Sequence, residues 1–370
     1  MTDPMPMLEV CGAPIRFSVC IPNFNYANYL RLTIASVLAQ TYPHFEIIVA
    51  DNASTDDSVR VVESFNDPRI RLVVNRYNVG FSANLDRASE TAKYEYMLLL
   101  SSDDLMQPDA LATYAKVLQS QGDQARMTVL TSAIDVVDSD GNLIGVSYRS
   151  RGSLFYQELD PQGAAEISWP DLPVESTPGL VALRETLRAK HSPAVFLATC
   201  YSRALYGQVE GYHNSYRMFP DGHFLNKLLS QDPVLVYVPQ RLFSYRVHPQ
   251  NQTANEAATG ALKYQVDAYM LTVETPSDVL QEIGMQRHEL VQVFIEKAIM
   301  KTGLQAIAAG HWVKAFRCLA FGFASYPGAS LRQFKTYVLA GLLLLGPLGW
   351  WLAAKLHARR SKAKRREAHR

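Results

Sequence analysis

Short apolar runs alternate with amphipathic stretches along the first 140 residues. Phe17 to Ile21 is apolar and closes at Pro22; polar residues follow, and from Tyr29 to Ala39 the side chains Leu30, Ile34, Val37 and Leu38 recur on one helical face. Phe45 to Ala50 is a second apolar run ending at Asp51, after which Ser54-Thr55-Asp56-Asp57 supplies capping residues for a helix carrying Val59, Val62 and Phe65. Ile70 to Val74 predicts a third strand, Phe81 to Thr91 a third helix, and Tyr94 to Leu100 a fourth strand that ends at Ser101-Ser102-Asp103-Asp104. Strands and helices at this spacing predict an α/β fold whose largely parallel sheet is covered on both faces. Ligands of such sheets bind beyond the carboxyl ends of the strands, where Pro22, Asp51 and Asp103 fall.

Farther along, Gln107-Pro108-Asp109 opens another helix, Met127 to Val137 reads as a strand, and Asp140-Gly141 marks a turn. Residues 147–180, rich in Gly, Pro and Ser, read as an acceptor-side loop region. From Ala182 to His248 helix and strand mix again, with strands expected at Val234 to Val238 and Leu242 to Tyr245. Beyond Ala257 the period is helical, with Val313, Phe316, Leu319, Ala320 and Phe323 on one stripe. Tyr337 to Ala354 is an uncharged run of 18 residues, near the length of a membrane span, with Gly346-Pro347 in its middle.

With 370 residues and 48% hydrophobic content, the chain can bury a full core. Its net charge of +1 hides a polarity: Lys355 to Arg370 holds eight Lys or Arg against one Glu, leaving the remainder acidic. Cys11, Cys20, Cys200 and Cys318 are too scattered for a zinc site or disulfide framework and read as reduced thiols. Met1 to Pro14 has no signal-peptide pattern, so the body is expected in the cytoplasm.

Acids gathered at strand ends suit a divalent cation on a pyrophosphate, because a hard ion takes oxygen ligands. By spacing alone, Asp103 and Asp104 serve as well for a turn leading to the helix at Pro108. Asp51 has a similar bland alternative as a helix-capping residue.

Five segments carry a resemblance. They are Ile21-Pro22-Asn23-Phe24-Asn25, Ser36-Val37-Leu38-Ala39-Gln40-Thr41-Tyr42, Glu46-Ile47-Ile48-Val49-Ala50-Asp51-Asn52-Ala53-Ser54-Thr55-Asp56, Asn78-Val79-Gly80 with Asn84, and Ser102-Asp103-Asp104. In this order they resemble the inverting glycosyltransferases of family 2, whose fold is the glycosyltransferase A-type nucleotide-diphospho-sugar transferase fold. The resemblance implies a mostly parallel sheet with helices on both faces, to which this chain adds a C-terminal helical appendage.

Carried over residue by residue, the resemblance makes Asp51 the acceptor for the base N–H of a uracil-like nucleotide, with Pro22 and Asn25 in the same pocket. Asn78 is a donor-loop residue. Asp103 matches the last acid of the family's Asp-x-Asp motif, which holds Mg²⁺ or Mn²⁺ on the diphosphate; Asp104 and Ser102 take supporting or ribose-side roles. Ser101 stands where many members have the first acid. Phe219-Pro220-Asp221-Gly222-His223 is similar to the segment holding the catalytic base, so Asp221 is implied as that base, with Pro220 replacing the usual Glu. Tyr245-Arg246-Val247-His248-Pro249 resembles the segment in which an Arg-x-His pair approaches donor phosphates and metal, implying a metal role for His248 and a phosphate role for Arg246. The Gln-x-x-Arg-Trp pattern of processive synthases is absent from the sequence.

The expected organisation is an N-terminal loop (1–14), a catalytic domain (15–256) with nucleotide half 17–137 and acceptor half 138–256, a helical region (257–334), an apolar membrane-associated helix or hairpin (335–356) and a basic tail (357–370). The expected function is non-processive, inverting, metal-dependent transfer of a sugar from a nucleoside diphosphate, UDP foremost, to a saccharide or lipid-linked acceptor in surface polysaccharide or glycolipid assembly. An anionic membrane surface, met through the C-terminus on the cytoplasmic face, is the expected partner, and nucleic acid is not. A catalytically inactive nucleotide-sugar-binding scaffold of the same fold is the alternative.

Overall fold

The computed structural model describes residues 13–212, 220–251 and 262–355. Most of the N-terminal loop, all of the basic tail, Cys11 and Phe219 lie outside the described residues. The chain opens as β1 (Phe17–Asn23), α1 (Ala27–Leu38), β2 (Phe45–Asp51), α2 (Ser58–Glu63), β3 (Ile70–Val74), α3 (Phe81–Thr91) and β4 (Tyr96–Leu99). This is the alternation expected from the apolar periodicity. Strands β3, β2, β1 and β4 lie side by side in that order and are parallel. The register sets Asn23 opposite Asp51 and Cys20 opposite Leu99, so the carboxyl ends of three strands share one rim of the sheet.

The rest of the sheet is mixed, not parallel. After β5 (Leu105–Met106) and α4 (Ala110–Ser120), β6 (Thr128–Val137) pairs with β10 (Cys200–Ser202), which runs antiparallel to β4 as well. Strand β11 (Val234–Arg246) is parallel to β6 and carries β5 on its other side. The two strands expected between 234 and 245 are thus one, interrupted by register shifts between Val238 and Phe243. Residues 147–180 are more ordered than their composition implies. Hairpin strands β7 (Leu143–Tyr148) and β8 (Gln157–Leu159) and α5 (Pro161–Ala165) pack around Val146, Ala164, Trp169 and Tyr237, and β9 (Glu175–Pro178) pairs antiparallel with β11.

Alternate side chains of the central strands feed opposite layers. Val19, Ile21, Ile47, Val49 and Leu98 meet α1 and α4 on one face through Leu30, Ile34, Leu111 and Tyr114. Cys20, Ile48, Ala50, Met97 and Leu99 meet the other face, made by α3, α6 (Gly179–Ala189), the short α7 (Arg203–Gln208) and α8 (Pro220–Leu229). Cys20 and Cys200 are buried free thiols, as is Cys318 in the helical region.

That region contains α9 (Lys263–Glu274), α10 (Ser277–Glu282), α11 (Arg287–Val293), a π-helical stretch (Phe294–Met300), α12 (Lys301–Ala308), α13 (Trp312–Ser325), α14 (Pro327–Arg332) and α15 (Phe334–Leu344). It has its own core around Phe294, Ile299, Met300, Cys318 and Leu339, while Leu280 and Leu290 join the sheet's second layer. Among the described residues no helix is long and apolar enough to cross a membrane. The apolar run at 337–354 is instead broken at Leu345–Gly346, where Gly346 takes φ +57°, and helix resumes at 347–355.

Candidate active site

A cleft of about 1290 Å³ opens at the rim where the parallel strands end. Pro22, Asn52, Asn78, Ser101, Ser102, Asp103 and Asp104 form one wall, Asp221 and His223 of α8 another, and Tyr264 and Asp267 of α9 the far end. Ligand pockets commonly reach ~300–1,000 Å³, so this one has room for more than one small ligand.

The loop bearing the two acids is held from below by α1. Thr33 Oγ1 donates to Ser102 O (2.9 Å), Ser36 Oγ accepts from Met106 N–H (3.1 Å), and Gln40 donates to Gln107 O (2.6 Å) while accepting from Leu111 N–H (2.9 Å). The Ser36 to Tyr42 segment therefore acts as a brace, and it does not itself line the cleft.

Asp104 is buried to 1% exposure and accepts from the Arg246 N–H (2.9 Å). Burial, and then the neighbouring Asp103 charge, holds its carboxyl well above the usual range, while a hydrogen bond from Ser101 opposes the shift. Ser101, in the place of the family's first acid, thus supports Asp104. Asp103 also sits above the usual range because of burial, against the pull of His248. His248 Nε2 lies 3.0 Å from Asp103 Oδ2, and Asn251 Nδ2 donates to the same oxygen (3.3 Å). Because His248 Nδ1 accepts the Gln250 N–H (3.2 Å), Nε2 carries the ring proton and donates it to Asp103. The ring is buried and stacks on Tyr29 at 4.3 Å between centroids. In this arrangement His248 orients the carboxylate from behind.

Arg246 has other partners than those the resemblance implied. Its Nε donates to Asp103 O (3.0 Å), one terminal nitrogen donates to Ser139 O (3.0 Å), and its plane lies over the Tyr29 ring. The guanidinium fastens β11 to the acidic loop and is absent from the cleft wall.

At the nucleotide end, Asp51 is engaged within the protein. Asn23 Nδ2 donates to Asp51 Oδ2 (2.8 Å) and Ser54 N–H to Oδ1 (2.9 Å). Asn25, at φ +60°, accepts from Thr55 N–H (2.7 Å). Neither Asp51 nor Asn25 lines the cleft, whereas Pro22 does. Asn78 does too, and a network missed in the sequence explains its position. Asn52 donates to Asn78 Oδ1 (2.9 Å) and accepts from Val79 N–H (2.9 Å) and Asn75 Nδ2 (3.1 Å). Asn75 also donates to Asn84 Oδ1 (2.8 Å), and Asn84 to Ala50 O (2.8 Å). The cue lay in four Asn residues clustered around the ends of β2 and β3.

Asp221 is the second residue of α8. Pro220 suits the first position, where a backbone N–H has no helical partner to lose. Burial, and less strongly the Asp267 charge, raises the Asp221 carboxyl above its usual range. The cleft therefore joins an acidic loop to a carboxyl group of raised proton affinity on a different layer.

Residues 18–164 match the family described as glycosyl transferase family 2. This domain belongs to glycosyl transferase family 2. The family 2 domain covers β1 through α5 and so includes the acidic loop, while Asp221 and His248 lie beyond the match. Glycosyltransferase GlyA of Streptococcus pneumoniae is 31% identical over 112 residues, which is 30% of this chain and 16% of GlyA. A hyaluronan synthase of Pasteurella multocida is 32% identical over 133 residues, 35% of this chain and 13% of the synthase. The chain thus spans a small part of these relatives' lengths. The fold is similar to that of S. aureus TarS 1–349 in complex with UDP-GlcNAc, at a TM-score of 0.59 and 15% identity over 92% of this chain and 89% of that one.

Proposed function

We propose that the protein transfers a sugar from a nucleoside diphosphate sugar, UDP being the favoured nucleotide, to a hydroxyl of a saccharide or lipid-linked acceptor, with inversion and one sugar per encounter. The observation that carries this reading is the cleft bordered at once by Asp103, Asp104 and Asp221. The family 2 match and the likeness in fold to TarS, which was solved with UDP-GlcNAc, support the donor class.

Asp221 takes the proton of the acceptor hydroxyl as that oxygen forms a bond to the anomeric carbon. The bond from that carbon to the diphosphate oxygen breaks on the opposite face, and the nucleoside diphosphate leaves with the electron pair. A raised proton affinity favours Asp221 as the receiver. Pro22 and Asn78 border the donor end. Asp51 and Asn25 support its floor through the turn at Ser54–Thr55.

Among the described residues no three His, Cys, Asp or Glu side chains group as a metal cage. The residues fit a cation held by one carboxylate and completed by substrate oxygens and water, as is usual for Mg²⁺. Asp103 would hold it, and the ion would offset charge on the departing diphosphate. His248, with both ring nitrogens engaged, keeps that carboxylate in place.

Titration calorimetry with UDP, GDP and their sugars, with and without Mn²⁺, tests the reading. Metal-dependent binding of UDP or a UDP-sugar is expected. Failure of every nucleotide to bind overturns the reading in favour of an inactive scaffold. An acceptor in surface polysaccharide or glycolipid assembly accords with action at the cytoplasmic face of the cell membrane.

A further inference from the structure

The helical region ends in a large apolar surface with no function in the cleft. Leu344 is 88% exposed, Phe316 62% and Trp351 51%, and Val313, Leu345, Leu348 and Trp350 are exposed as well. Several of these side chains lie side by side. Val313 and Phe316 of α13 line an open groove with Leu343 and Leu344 of α15. The segment 347–355 returns to the same end, since Trp350 Nε1 lies 3.7 Å from where a Gly310 Cβ would stand. Gly349 backs onto the Leu342 carbonyl so closely that a Cβ would overlap it, and Ala353 is buried in the cluster that holds Leu339, Leu342 and Leu343, so 347–355 packs back on α15 as a hairpin. Phe334 and Tyr337 extend the exposed row along α15. An apolar surface of this extent marks an interaction site.

Charge selects the partner. The Lys355 ammonium sits over the Trp351 ring at 4.5 Å, and the chain continues with Arg359, Arg360, Lys362, Lys364, Arg365 and Arg366. Exposed aromatic and aliphatic side chains followed directly by a basic run match a bilayer interface carrying negative headgroups. Helix α15 has 11 residues and reaches about 16 Å, against the ~30 Å of a hydrocarbon core, so it cannot span.

We infer that the hairpin formed by α15 and 347–355, together with Val313 and Phe316, seats the protein on an anionic lipid surface, lying in the interface without crossing it. The inference is independent of the catalytic reading.

The test uses the full chain. Wild type and the variant Leu344→Ser/Leu348→Ser/Trp351→Ser are floated with vesicles of phosphatidylglycerol and phosphatidylcholine, and with phosphatidylcholine alone. Wild type is expected to float with the anionic vesicles, less at high salt, with a blue shift of tryptophan emission. The triple variant is expected to bind at least about tenfold more weakly at unchanged circular dichroism, since the replaced side chains are exposed. A second variant, with the six named residues from Arg359 to Arg366 changed to Gln, leaves the patch intact and is expected to lose the preference for anionic vesicles. Wild type that ignores both vesicle types overturns the inference. So does a dimer, seen by sedimentation, that dissociates in the triple variant, because a second copy would then cover the patch.

Discussion

His248 Nε2 stands 3.0 Å from Asp103 Oδ2, with the His248 Nδ1 position already satisfied by the Gln250 N–H. Under the proposed reading the ring would act on a bound cation through the carboxylate. His248→Ala should raise the Mn²⁺ concentration needed for half-maximal donor turnover by on the order of 10–100-fold. Asp103→Asn should abolish that metal dependence altogether. Unchanged metal titration in His248→Ala would remove the positioning role.

Asp221→Asn should leave UDP binding intact and lower transfer by roughly 10²–10⁴-fold, the usual contribution of a general base. Burial raises the Asp221 carboxyl, and a base must be unprotonated to work, so wild-type kcat/KM should fall as pH drops through a value above the ordinary carboxylate range. A rate profile flat down to the ordinary carboxylate range would contradict this.

Asn52 fastens the loop that presents Asn78. Asn52→Ala removes the acceptor of the Val79 N–H and one of the two donors to Asn78 Oδ1, which keeps the Gly80 N–H, and should cost about 0.5–1.5 kcal/mol in stability, read from urea midpoints. Donor affinity should weaken in the same variant, because Asn78 and Phe81 form cleft wall. Intact affinity despite lowered stability would confine the network to folding.

Lys190 ends α6 in the left-handed region at φ +57°, its Nζ without a hydrogen bond and 4.2 Å from the Tyr264 ring centroid. Burial pushes this ammonium down to about 7, against the attraction of Asp267. Above that pH the unfolded chain holds a proton that the folded chain has released, so this group adds stability as pH rises from about 7 toward the ordinary lysine value of 10.5. Below about 7 both states are protonated and the penalty is fully present. Lys190→Met should flatten the rise, measured as denaturation midpoints across this window.

Much of the nucleotide half was legible because its information is local. A strand such as Phe45–Asp51 declares itself by its apolar run, and a helix such as Ala27–Leu38 by its period, so the alternation predicts the parallel core and the rim where Asp51 and Asp103 fall. Residues 147–180 were less legible. Their polar composition hides a hairpin that packs with Trp169 and Tyr237, which lie far apart in sequence.

The sequence by itself determined the order of elements and the residue types at each strand end, since backbone periodicity and turn chemistry act between near neighbours. Only the tertiary structure decided which groups face one another. It turned Arg246 onto the Asp103 and Ser139 carbonyls, set His248 behind Asp103, and brought Asp221 from a distant helix to the same cleft. It also folded an apolar run long enough to suggest a span into a hairpin at Gly346. Those outcomes depend on closing long loops against packed layers, a balance of burial and hydrogen bonding that no local stretch of sequence contains.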